Sequence, residues 1–167
     1  MEEQQSSAPV RAQAQVDIAA SDRQVWTVLA DIASWPTWNP AIRLAVCDEE
    51  LEVGTRFRFS TEIGTLKCRI AAVDAPRLLS WKGRVLVIGE RQTWRITPLK
   101  DGTHVSVRAE MTGIGAHMLR RRLTERLQRV LDAVVQLLRL EAESRVRDER
   151  QLAALTDEQR RRTIARE

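Results

Sequence analysis

An α+β fold, with one curved antiparallel sheet of seven strands packed against a long C-terminal helix, is what this 167-residue sequence predicts. Three observations carry it. Apolar and polar residues alternate with a two-residue period in seven short segments, no helical segment separates those that follow residue 42, and from about residue 116 the period changes to that of a helix. Strands joined by turns alone run antiparallel, because a parallel pair needs a long crossover between them.

The first segment places Ala12, Ala14, Val16 and Ile18 on one face and Arg11, Gln13, Gln15 and Asp17 on the other, as a strand with one buried face requires. Ser21 followed by Gln24 has capping-box spacing and predicts a helix from Ser21 to about Ala33, carrying Val25, Trp26, Val28 and Leu29. Three of the five tryptophans, Trp26, Trp35 and Trp38, fall between residues 25 and 40. Pro36 and Pro40 forbid a long continuation there, so a second short helical turn or tight corner follows the helix.

Residues 42–48 read as the second strand and residues 50–54 as a turn. Phe57 and Phe59 share one face of the third strand, and Gly64 turns the chain into a fourth carrying Leu66, Cys68, Ile70 and Ala72. After a turn at residues 74–76, Leu79 and Trp81 mark a short strand ending near Gly83. Gln92, Trp94 and Ile96 mark the next, ending near Pro98. The Asp101-Gly102 turn then feeds Val105, Val107, Ala109 and Met111. Over residues 116–147, Leu119, Leu123, Leu127, Val130, Leu131, Val134, Leu138 and Ala142 form an apolar stripe that has to cover the concave side of the sheet. The expected organisation is a disordered tail over residues 1–9, one domain over residues 10–147, and a charged extension over residues 148–167 forming a short or frayed helix, with a second start at Thr156.

No apolar run approaches the roughly 18 residues of a membrane span, and the polar opening MEEQQSSAPV argues against a secretory leader. A cytoplasmic protein without stable membrane insertion is expected. Cys47 and Cys68 lie on different strands without C-x-x-C spacing, which predicts buried thiols. No zinc spacing, phosphate loop or nucleophile elbow occurs, so no metal and no cofactor is expected. The net charge of +4 lies in the C-terminal third: residues 1–115 carry fourteen basic and fourteen acidic side chains, residues 116–167 thirteen and nine. A solvated helix face explains that surplus, and no nucleic-acid partner is expected. Oligomeric state is not legible.

Four segments, VDIAASDRQVWTVLADIASWPTWNP, VGTRFRF, PRLLSWKG and DGTHVSVRAEMTG, appear in this order ahead of the long helix. In them the chain resembles the START-like, Bet v 1-like helix-grip superfamily, and within it the bacterial polyketide cyclase/dehydrase and lipid-transport group, over about residues 10–145. The resemblance implies a cavity between the curved sheet and the long helix, occupied in different members by lipids, steroids, hormones or aromatic polyketides.

With that cavity assumed, strand alternation points Phe57, Phe59, Cys68, Trp81, Gln92, Trp94 and Met111 inward, and the helix adds Met118, Leu127 and Val130 as candidate lining. Such a wall suits a hydrophobic, aromatic or polyketide-like ligand, stacked on Trp81, Trp94 and Phe59 and oriented by Gln92. Proton abstraction next to a carbonyl needs a base within the cavity, and the candidates are poor. His104 falls on the outer face with Ser106 and Arg108, His117 at a helix start, Glu110 on the outer face and Glu62 at a hairpin end. Enzymatic members of the group place an inward arginine, serine or tyrosine on substrate. This chain has no tyrosine, and none of its residues maps to that role. Cyclisation can still be assisted by holding a reactive chain folded. Three functions stay open: a ligand-binding protein assisting cyclisation, a non-enzymatic carrier or self-resistance protein, and a co-chaperone-like module binding a partner through the basic C-terminal helix.

Overall fold

A computed structural model of the chain describes residues 8–164. Most of the expected N-terminal tail and the last residues of the extension lie outside the described residues. Strand β1 (Val10–Ile18) leads to helix α1 (Asp22–Ala30), a 3-10 turn (Ile32–Ser34) and the short helix α2 (Trp35–Trp38). Strands β2 (Leu44–Val46), β3 (Arg56–Thr61), β4 (Gly64–Asp74), β5 (Leu78–Val85), β6 (Ile88–Leu99) and β7 (Gly102–Thr112) follow, then α3 (Ile114–Met118) and α4 (Arg120–Ile164). All seven strands join one antiparallel sheet in the order β1-β7-β6-β5-β4-β3-β2. The N-terminal strand thus closes one edge beside the last strand.

The capping box at the start of α1 is complete: the Gln24 backbone N–H donates to Ser21 Oγ, and the Ser21 N–H donates to Gln24 Oε1 at 3.0 Å. The helix stops at Ala30 rather than Ala33, because Asp31 leaves helical geometry (φ −79°, ψ 74°). The Asp31 carboxylate then accepts the Ser34 hydroxyl at 2.6 Å, holding the chain in the tighter turn. Pro36 suits the first turn of α2, where its missing N–H costs nothing. Asn39 steers the exit: its side chain accepts the Ala41 N–H (3.1 Å) and its carbonyl the Ile42 N–H (3.0 Å), which delays β2 to Leu44.

Strands β5 and β6 run further than expected, meeting in a two-residue loop at Leu86 and Val87. The long helix is divided. Gly113 has φ 102°, and a side chain there would strike the Val87 carbonyl at 2.4 Å, so α3 is pinned to the β5–β6 hairpin. Leu119 (φ −109°, ψ 19°) then separates α3 from α4. Helix α4 continues without interruption through Arg147, and Thr156 starts no new helix; its hydroxyl donates to the Leu152 carbonyl inside α4.

The buried stripe of α4 is Leu127, Leu131, Val135, Leu138, Ala142 and Val146, while Leu119 and Val130 of the expected stripe are exposed. Helix α4 rests on β1 and β7, at one side of the sheet, and touches α1 and α2. Beyond Val146 the stripe ends, and residues 147–163 are exposed on every side. Truncation after Arg150 is therefore expected to leave the melting temperature nearly unchanged, whereas Leu138→Ala, at a site with no exposure, costs about 2–5 kcal/mol. Thermal and urea unfolding of the two variants checks both values.

Candidate functional site

Because α4 covers β1 and β7, the inner face of β3, β5 and β6 needs another cover. The corner at α2 supplies part of it. Trp35 is buried, donates its indole N–H to the Leu29 carbonyl (2.9 Å), and sets its ring against three others. Its centroid lies 5.9 Å from Phe57 and 5.7 Å from Phe59, both edge-on, and 5.4 Å from Trp81 at a tilt of 42°. These offset and edge-to-face geometries are the favourable ones for aromatic pairs.

Between this cluster and α4 a cavity of about 540 Å³ remains. Its floor is Phe59, Thr61, Trp81, Gln92 and Trp94; one wall is Leu29, Trp35, Trp38 and residues 39–42; the roof is Val130, Leu131, Ala133, Val134 and Leu137 of α4. Arg126, Arg129 and Glu62 also border it, and Glu62 and Arg126 form a 3.5 Å ion pair from the β3–β4 hairpin to α4. With both partners more than half exposed, that pair adds little stability.

The polar groups divide in a way that matters for recognition. Along the inner face of β6, Trp94 donates its indole N–H to Gln92 Oε1 (3.1 Å) and Gln92 donates Nε2–H to Glu90 Oε1 (2.7 Å). Gln92 does border the cavity, but its amide is engaged at both ends, so its first task is to fix Trp94 rather than to orient a ligand. In contrast, the indole nitrogens of Trp38 and Trp81 are buried with no hydrogen-bond partner, and both residues border the cavity. An unpaired buried donor costs about 1–3 kcal/mol, and an acceptor oxygen arriving in the cavity would relieve it.

Of the candidate lining residues, Phe59, Trp81, Gln92, Trp94 and Val130 surround the cavity. Five do not. Phe57 packs behind Phe59 and Trp81; Leu127 is buried in the α4 seam; Met111 is half-buried near the end of β7. Cys68 fills the space over Gly83, where an added methyl would lie 2.6 Å from its sulfur. Burial, reinforced by the charge of Glu90, pushes its thiol to about 12, so it is an inert packing group. Met118 is 79% exposed: it ends α3, which is held at the β5–β6 hairpin and separated from α4 by the break at Leu119. His104 bonds Asp17 at 2.6 Å across the β1–β7 pair, and His117 is exposed on α3, so neither reaches the cavity. Both cysteines are free. Among the described residues no three His, Cys, Asp or Glu side chains come together to hold a metal ion.

Sequence reasoning missed Glu90, Trp38 and the Glu62–Arg126 pair. Glu90 lies two residues before Gln92 and so on the same strand face, but the alternating run that marks this strand in the sequence starts at Gln92. Burial raises the Glu90 carboxyl above its ordinary 4.5, while the hydrogen bond from Gln92 opposes this. A folded-state value above the unfolded one contributes stability that is present below the usual carboxylate range and lost as pH rises through the raised value. Urea unfolding between acid and neutral pH should therefore show the wild type losing stability relative to Glu90→Gln as pH rises; parallel curves would contradict this reading.

The comparisons with known proteins agree with this architecture. The polyketide cyclase / dehydrase and lipid transport family matches residues 9–139. Similar solved structures include a hypothetical protein of Helicobacter pylori (14% identity, TM-score 0.72, covering 83% of this chain and 91% of that one). The Zhui aromatase/cyclase of Streptomyces sp. R1128 aligns at 19% identity and TM-score 0.68, covering 81% and 94%. A START superfamily protein of Mycobacterium smegmatis aligns at 20% identity and TM-score 0.57, covering 77% and 98%. At these identities the likeness is one of fold. No curated protein matches in sequence. With the helix-grip sheet, the closing helix and a family match over most of its length, the chain belongs to the polyketide cyclase/dehydrase and lipid transport family.

Proposed function

We propose that this protein binds a flat, hydrophobic, oxygen-bearing molecule of the aromatic or polyketide type in the cavity under α4, and holds it in a folded shape that favours ring closure. The observation that carries this reading is the pair of unpartnered indole donors, Trp38 and Trp81, in a largely apolar cavity. A plain hydrocarbon chain would leave both donors unpaired, whereas a ligand with carbonyl or phenol oxygens on an aromatic frame satisfies them and stacks on the rings. A volume of about 540 Å³ falls in the range that holds drug-sized molecules. The aromatase/cyclase named above is similar in fold, which makes cyclisation a natural chemistry to test.

The assistance proposed is geometric. The cavity wall offers indole N–H groups, the engaged amides of Gln92 and Asn39 and the Thr61 hydroxyl, while its charged groups, Glu62, Arg126 and Arg129, stand on residues exposed to solvent. Confinement of a reactive poly-β-ketone lowers the entropy cost of bringing its reacting carbons together without a strong acid or base.

Titration of a hydroxyanthraquinone, followed by quenching of tryptophan fluorescence, tests the binding. Trp81→Phe keeps a smaller aromatic ring and removes the donor, so affinity for the hydroxyanthraquinone should fall roughly two- to tenfold further than affinity for anthracene, as expected for one net hydrogen bond. Anthracene, which has no oxygen, should lose only the contribution of the smaller ring. Equal losses for both ligands, or no binding of either, would defeat the proposal. A reactive poly-β-ketone incubated with the protein should close its rings faster than in buffer and into a narrower set of products. An unchanged product distribution would remove cyclisation and leave binding alone.

A further inference from the structure

The pleat of the sheet sorts charge in a way that the linear sequence conceals. On the outer face, Arg56 stands opposite Arg69, Arg69 opposite Lys82, and Lys82 opposite Arg91, a row of four cations across four neighbouring strands. Arg58, Lys67 and Arg84 form a second row beside it. All seven are exposed, and among the described residues none of them is in an ion pair. Like charges directly opposite one another destabilise a sheet, so folding gives no reason for either row.

The second row lies just behind an apolar end of the molecule. The β3–β4 hairpin, the β5–β6 hairpin and α3 meet there: Gly64 approaches the Val85 side chain, and Gly113 and Gly115 approach Val87 and Ile88. This end exposes Ile63 (46%), Leu86 (86%), Val87 (67%), Ile114 (76%) and Met118 (79%). Leu86 is the most telling. It is the first residue of a two-residue hairpin loop and has φ 51°, a position that such loops give to glycine. Packing within the fold does not account for a leucine in this backbone geometry with its side chain in solvent. Arg120, Arg121 and Arg122 follow α3 on the same end. The loops at the opposite end carry Asp48, Glu49, Glu50, Glu52 and Asp101, with Asp74 at the end of β4, against only Arg77 and Lys100.

We propose that this end is a docking surface for an anionic lipid bilayer. The Leu86-Val87 tip and Ile63 enter the headgroup boundary, Glu62 beside Ile63 stays paired with Arg126, and the row Arg58, Lys67 and Arg84 meets lipid phosphates. Arg84 is two residues from Leu86, about 7 Å along the strand, which matches the roughly 5–10 Å insertion depth of interfacial anchors. The row from Arg56 to Arg91 follows about 7 Å further back, within about one Debye length of the surface. The acidic far end orients the approach. Attachment is peripheral, since among the described residues no helix is long and apolar enough to cross a membrane. A nucleic acid fits the same charges less well: the outward positions of β3 to β6 hold no aromatic side chain on which a base could stack, and a duplex has no use for the aliphatic tips. Docking does not depend on what occupies the cavity.

Co-sedimentation of the full chain with vesicles of phosphatidylcholine and phosphatidylglycerol tests it, with vesicles of phosphatidylcholine alone as the control. Binding should require the anionic lipid and weaken with added salt. Leu86→Gly with Val87→Ser should reduce it roughly tenfold at unchanged melting temperature, since Gly suits the backbone at residue 86. Lys67→Gln with Arg84→Gln should weaken it by roughly fivefold for each cation lost. The proposal would be overturned by no sedimentation with anionic vesicles, by both double variants binding as well as the wild type, or by the apolar end being covered by a second copy, seen as a dimer that Leu86→Gly with Val87→Ser dissociates. Preferential binding to duplex DNA with no vesicle binding would reassign the cations to nucleic acid and likewise overturn it.

Discussion

The packing of Trp35 sets the interior of this protein. Its indole N–H is tied to the backbone of α1 through the Leu29 carbonyl, and its ring is wedged against Phe57, Phe59 and Trp81. The corner between the first helix and the second strand is thereby fastened to the sheet at one side, while α4 is fastened to β1 and β7 at the other. Two covers anchored at opposite sides of a curved sheet leave a space between them. Removing the Trp35 ring would loosen the corner and let that space collapse or open to water, a larger effect than its share of buried area alone implies.

The polarity of that space follows from the same arrangement. Most inward positions near the corner are aromatic or aliphatic, so a polar atom there is satisfied chiefly by its near neighbours or by a guest. Trp94 takes the first route, through Gln92 and Glu90. Trp38 and Trp81 take neither within the protein. A folded chain that leaves two buried donors unpaired has lost stability which an oxygen-bearing ligand would restore, and this couples binding to rigidity of the corner. The raised Glu90 carboxyl ties the floor of the cavity to pH by the same chain of hydrogen bonds.

Much of the fold was legible because it rests on local rules. The Ser21–Gln24 spacing, the alternation on either side of Gly64 and the Asp101-Gly102 turn act within a few residues, and each predicted feature is present. What escaped depends on distant contacts. The division of the closing helix at Leu119 follows from Gly113 and Gly115 meeting the β5–β6 hairpin, some 25 residues earlier in the chain, and that contact carried Met118 out of the expected site. Cys68 alternated correctly yet packs over Gly83 instead of facing the cavity. The site was legible where a strand residue lies opposite the corner, as with Phe59, Trp81 and Trp94, and illegible where strand register, loop course or helix position decides, as with Glu90, Trp38 and Arg126. Charge followed the same division: composition placed the surplus at the C-terminal end, while pairing register assembled seven cations from a segment whose charges cancel.

The central claim is that Trp38 and Trp81 hold their indole donors ready for a ligand while Trp35 and Trp94 hold theirs for the protein. Indole N–H resonances in a proton–nitrogen correlation spectrum report each donor separately. On addition of a hydroxyanthraquinone, the Trp38 and Trp81 signals should move downfield as hydrogen bonds form, with those of Trp35 and Trp94 nearly stationary. Movement of Trp35 and Trp94 with Trp38 and Trp81 unmoved would contradict the account.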